Sequence, residues 1–120
     1  MTPAELRTAH DALGVSTELI AARVDCHVNM IWRYESPART APIPEHVADA
    51  MRDLLTDFDL AAERLAIEVR ASESGVIPRY ADLAAFYAAV PSMDGWGERS
   101  QGLLVSEVQR RIQATVDYVR

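Results

Sequence analysis

From Val47 to Val69, apolar side chains return every three or four positions: Val47, Met51, Leu54, Leu55, Phe58, Ala62, Leu65 and Val69. Neither proline nor glycine falls among them. That period belongs to an α-helix with one apolar face. Pro44 stands where a helix favours its first turn, and the stripe runs on to about Arg70. A continuous helix of that span is about 40 Å long at 1.5 Å per residue. A break near Asp57-Phe58-Asp59 is the alternative reading. A chain of 120 residues makes one domain or two small subdomains.

Helix signals also dominate on either side. Thr2 and Pro3 open a first helix, with Leu6, Ala9 and Leu13 at helical spacing and Gly14 to end it. Ser16 caps a second helix, with Leu19, Ile20 and Val24 inward. After Asp25-Cys26-His27 a third helix runs to about Ser36-Pro37, because proline disfavours helical geometry in the residue before it. "PARTAPIP" (37–44) reads as a loop and "SESGVIP" (72–78) as a linker, and within it "GVIP" is the one candidate for a short extended piece. A helix is expected over about 79–89, with Tyr80, Leu83, Phe86 and Tyr87 on one side, followed by a loop over 90–97. The last helix is expected from Glu98, with Leu104, Val105, Val108, Ile112, Val116 and Val119 inward. The expected class is therefore all-α.

Residues 16–36, "STELIAARVDCHVNMIWRYES", have the spacing of a helix-turn-helix. Ala21 is small where the two helices cross. Asp25 falls where the turn wants a left-handed residue, a geometry that Asp tolerates at modest cost. Cys26 is the small apolar plug of the turn. Ile31 and Tyr34 fall on the buried face of the third helix, and Glu35 is a frequent acid at the end of such a motif. The outward face carries Val28, Asn29, Trp32 and Arg33, the face that such motifs push into the major groove. Asn suits a bidentate contact with adenine, and Arg one with guanine or with phosphate. The residues expected to contact DNA are Thr17, Arg23, His27, Val28, Asn29, Trp32, Arg33 and Arg39.

Charge cuts across this reading. The formal net charge is −6, whereas nucleic-acid binders are usually basic. The acidity is local, however. Residues 1–44 hold four Arg against five acids, residues 45–75 three against eight, and residues 76–120 five against five. The acidic segment must then point away from any duplex, and the arginines of the N-terminal segment remain available to phosphate.

The N-terminal half resembles the Xre-type helix-turn-helix of phage repressors. The likeness extends to the YdiL-like group, which includes one family of anti-CRISPR-associated repressors. Three stretches carry it: "MTPAELR" at the start, "WRYES" with "PEHV" after the motif, and "RYADL", "FYAAVP" and "WGERSQ" toward the end. The resemblance implies a lambda-repressor-like DNA-binding module over 1–57, then a long helix and a small helical dimerisation region over 58–120. It also implies a homodimer that represses at an inverted repeat near its own operon. Two positions depart from the family pattern: Pro37 replaces the usual Gly after Glu35-Ser36, and Asn29 stands where relatives often carry a longer basic or amide side chain.

Other chemistry finds little footing in the sequence. Histidines 10, 27 and 46 are scattered, and Cys26-His27 lacks a second pair at zinc spacing, so no metal is expected. There is no glycine-rich phosphate loop and no nucleophile elbow, so neither cofactor nor catalytic residue is expected. Glu45, Asp49, Asp53, Asp57 and Asp59 read as a solvated face. Trp96 reads as a core or interface anchor. The lone cysteine and the polar N-terminus around Glu5 suit the cytoplasm, with no membrane segment. The competing function is a protein-interaction module of the same fold that does not bind DNA.

Overall fold

The computed structural model describes residues 1–119 and is mostly helical. Along the chain run α1 (Pro3–Leu13), α2 (Thr17–Val24), α3 (Val28–Glu35), α4 (Glu45–Ala71), β1 (Ile77–Arg79), α5 (Leu83–Ala89), a 3₁₀ turn (Pro91–Met93), α6 (Glu98–Ile112) and β2 (Val116–Tyr118). Two compact units divide it, Met1–Thr56 and Asp57–Arg120. Helix α4 is unbroken and contributes its first part to one unit and its second part to the other. No helix of the described residues is long and apolar enough to cross a membrane.

In the first unit, local signals set the helix ends. The Thr2 hydroxyl accepts from the Glu5 N–H at 3.1 Å, and the Glu5 carboxylate accepts from the Thr2 N–H, a reciprocal cap worth about 1 kcal/mol. Gly14 ends α1 at φ 65°, left-handed geometry that glycine adopts without a Cβ penalty. The Ser16 hydroxyl caps α2 through the Leu19 N–H. Leu6, Leu13, Ile20 and Ile31 from the three short helices are fully buried, as are Val47, Met51 and Leu54 in the first part of α4. The Ile43 N–H donates to the Met1 carbonyl at 3.2 Å and pins the 36–44 loop back to the N-terminus.

The second unit is built differently from the sequence expectation. It is not all-helical, because β1 and β2 form a parallel pair in which Ile77 faces Val116 and Arg79 faces Tyr118. The "GVIP" extended piece is therefore real, but the helix expected from residue 79 starts only at Leu83. Arg79 belongs to β1, and the Asp82 carboxylate caps α5 through the Ala84 N–H at 2.8 Å. Likewise α6 does not run on to Val119. Gln113 turns left-handed at φ 52°, and Val116 continues in β2 while Val119 is exposed. The core of this unit gathers Ile77, Phe86, Met93, Trp96, Leu104 and Val108, with Ala62, Ala66 and Val69 from α4. Gln101 is buried with them. Its side chain is held by both backbone groups of Tyr80, accepting from the N–H at 2.7 Å and donating to the carbonyl at 3.0 Å.

Candidate nucleic-acid interface

Helices α2 and α3 are joined through Asp25, Cys26 and His27, and that connection aims α3. Asp25 takes φ 54° and ψ 53°, the left-handed state expected of it, and the Cys26 N–H closes the turn on the Ala21 carbonyl at 3.0 Å. Ala21 is buried at the helix crossing. Cys26, the small residue of the turn, is half-buried, and its desolvation together with the Asp25 carboxylate raises the thiol pKa. A thiol held protonated in this way is a poor nucleophile.

His27 takes the N-cap position of α3, its Nδ1 accepting from the Asn29 N–H at 3.1 Å. Ile31, Tyr34 and Glu35 face inward and fix the helix to the unit. Asn29, Trp32 and Arg33 face outward. Trp32 is 57% exposed, a large value for the residue type that most often anchors a buried contact. Asn29 and Arg33 are one turn apart on one helix face, and Trp32 follows Asn29 by three, so the three side chains share a surface. Val28 is half-buried at the first turn.

The arginines of the first unit fall into two groups. Arg7 pairs with Asp11 and Glu35, and Arg52 bridges Glu45 and Asp49. Arg23, Arg33 and Arg39 have no carboxylate partner among the described residues. Arg23 is exposed in the last turn of α2. Among the described residues, the Arg33 guanidinium has the Met30 sulfur as its hydrogen-bond partner, at 3.8 Å. Arg39, in the loop after α3, is positioned by that loop. Its Nε donates to the Ala41 carbonyl at 3.2 Å and its Nη2 to the Pro42 carbonyl at 3.3 Å, while the guanidinium lies 4.9 Å from the centroid of the Tyr34 ring. Thr17 opens α2 beside the Ser16 cap and is half-buried. The eight expected contact residues thus lie on α2, on α3 with its cap, and on the loop that follows.

Sequence reasoning left His10 without a partner. The structure joins it to Glu35: Nδ1 lies 2.5 Å from Glu35 Oε1, and Nε2 lies 2.9 Å from the Val15 carbonyl. Twenty-five residues separate His10 from Glu35, and no local period links them. Only the packing of α1 on α3 brings the pair together. No group of three His, Cys, Asp or Glu side chains converges as a metal site among the described residues.

In the second unit, Leu60 and Ile67 stand out of α4 at 55% and 58% exposure, and Tyr118 and Val119 stand out at the end of β2. Leu60 also borders an apolar hollow of about 200 Å³ lined by Leu65, Phe86, Val90 and Leu104. Comparison of the chain with protein-family models, with curated proteins and with solved structures returned no match.

Proposed function

We propose that the protein is a sequence-specific double-stranded-DNA-binding transcriptional regulator, a homodimeric repressor acting at an inverted repeat near its own operon. In this reading, residues 16–36 form a helix-turn-helix in which α3 enters the major groove. The observation that carries it is the outward face of α3. Asn29, Trp32 and Arg33 are held out by Ile31 and Tyr34 behind them, and the cations without acid partners lie at the end of α2, on α3 and on the next loop. Asn29 and Arg33 read base edges, while Arg23 and Arg39 hold phosphate. The acids of α4 are partly spent on Arg52, which softens their repulsion of a duplex.

Dimerisation through the second unit fits the same reading. Of the five large apolar side chains left exposed among the described residues, four (Leu60, Ile67, Tyr118 and Val119) lie there and only Trp32 lies on the first unit. A dimer sets two α3 helices against two half-sites about 34–36 Å apart.

The second reading is a protein-interaction module without DNA binding. It is favoured by the net charge of −6 and by exposed Trp32, since tryptophan is enriched where protein interfaces concentrate their energy. A binding titration against the DNA upstream of the protein's own reading frame, beside a scrambled duplex and at several salt concentrations, separates the two. Tight, salt-dependent and sequence-selective binding is expected, and equal weak binding to both duplexes gives the interaction module precedence.

A further inference from the structure

His10 sits at the junction of three segments. Its backbone is in α1, its Nε2 meets the Val15 carbonyl in the turn before α2, and its Nδ1 meets Glu35 in the last turn of α3. The imidazole is 11% exposed and the Glu35 side chain 5%. A carbonyl oxygen only accepts, and an ionised carboxylate only accepts. Both contacts are satisfied together only when both ring nitrogens carry a proton.

The other arrangement, a protonated Glu35 donating to a neutral ring, is opposed by Arg7, whose Nη1 lies 3.3 Å from the second Glu35 oxygen. Arg7 also pairs with Asp11 across one turn of α1. The charged groups around the ring are therefore Arg7 and Asp11 from α1 and Glu35 from α3. The turn supplies a carbonyl, and α2 adds no ion pair to the cluster.

We propose that His10 is a positioning residue whose imidazolium clamps α1, the α1–α2 turn and the C-terminal end of α3 together, and that deprotonation releases the clamp and frees α3 to shift. Loss of either proton sets a ring lone pair against an oxygen lone pair, at 2.5 Å if Nδ1 loses it and at 2.9 Å if Nε2 does. With so little solvent access, water does not easily relieve that conflict. The clamp acts on the placement of α3 whatever α3 contacts, so it stands apart from the DNA-binding reading.

The hydrogen bond to Glu35 raises the His10 pKa above the ordinary value of 6.5, against the opposing effect of burial. A folded-state pKa above the unfolded one stabilises the fold fully below about pH 6.5, and that stability is lost as pH rises through the raised value. The clamp is thus closed below about pH 6.5 and opens as pH rises through the raised His10 value.

The test uses the full-length chain. Ring nitrogen shifts of ¹⁵N-histidine-labelled protein, followed from pH 5.5 to 9, report protonation directly. The expected result is a His10 ring doubly protonated at pH 6.5, titrating above it, with Glu35→Gln returning the midpoint to 6.5 or below. In parallel, the amide signals of Ile31 to Ser36 should move with the same midpoint in wild type, and remain still over that range in His10→Arg, which keeps the charge without titrating. A His10 ring that is mainly neutral at pH 6.5, or α3 amides that shift equally in His10→Arg, would overturn the proposal. The wild-type spectra decide the protonation question even if a variant folds poorly.

Discussion

The side chain of Gln101 on α6 bonds both the N–H and the C=O of Tyr80, at 2.7 and 3.0 Å, in the manner of a neighbouring β-strand. Tyr80 directly follows β1, and a third bond runs from the same Gln101 amide to Glu98 at 2.9 Å. A single buried amide thereby finishes the backbone pairing that the three-residue β1 leaves open. Gln101→Leu keeps the bulk and leaves both Tyr80 groups without that partner in a part-buried site. A buried polar group left without a partner costs roughly 1–3 kcal/mol. Urea denaturation should show a loss of that size, and Gln101→Glu should not recover it, because its second oxygen would face the Tyr80 carbonyl and the Glu98 carboxylate.

Gly97 offers a test of backbone against space. It opens α6 at φ 99° and ψ 174°, with its N–H donating to the Tyr87 hydroxyl at 3.0 Å. Nothing lies within 4 Å of where a Cβ would be, so a methyl group fits. Its conformation is one that L-residues adopt only under strain of about 1–3 kcal/mol. Gly97→Ala should lower the melting temperature although it meets no steric clash. An unchanged melt would mean that residues 95–98 relax to a different backbone.

Ile31 carries α3 into the core of the first unit and is fully buried. Its truncation to Ala should cost about 2–5 kcal/mol, the range set by how far the site collapses around the lost methyl groups. Trp32→Ala next to it removes a mostly exposed side chain, so the fold should hold and any loss should fall on partner binding. Circular dichroism melts of the two variants separate these effects, and equal losses would mean that α3 is rotated from the face described.

For the proposed reading of DNA, Asn29→Ala and Arg33→Ala should each cost about 1–3 kcal/mol on the cognate operator and relax preference at one position. Arg39→Ala should weaken all sequences alike and shallow the salt dependence by nearly one unit of log–log slope. It also removes the stack on Tyr34 and two loop bonds, so its melt must be measured beside its binding. Three variants that all bind like wild type would remove α3 as the reading face.

For the proposed dimer, Leu60 and Ile67 lie two turns apart on α4 and share one face. Light scattering of the wild type should give twice the chain mass of 13.3 kDa, and Ile67→Glu should return it to that mass. A monomer at micromolar wild-type concentration would rule this interface out.

The sequence by itself determined nearly all of the first unit. Thr2 with Glu5, Gly14, Ser16, Asp25 and His27 act through neighbours at most five residues away, and the Val47-to-Val69 period marks the long helix, although a break near Asp57-Phe58-Asp59 is an equal reading until the fold shows α4 continuous. Such features are local, so spacing alone reports them. It also separated the two faces of α3, because Ile31 and Tyr34 alternate with Asn29, Trp32 and Arg33 at helical intervals.

Only the tertiary structure decided the rest. Val116 continues the apolar period of α6, so the sequence reads as more helix. In the fold, Gln113 breaks the helix and residues 116–118 pair with residues 77–79 in parallel register. Strand pairing across 39 residues depends on backbone groups that carry no sequence pattern of their own, and two three-residue strands are too short to show an alternation. The same holds for His10 with Glu35 and for Gln101 with Tyr80. Each partner looks like an ordinary polar residue until helix packing excludes water and leaves it one place to bond.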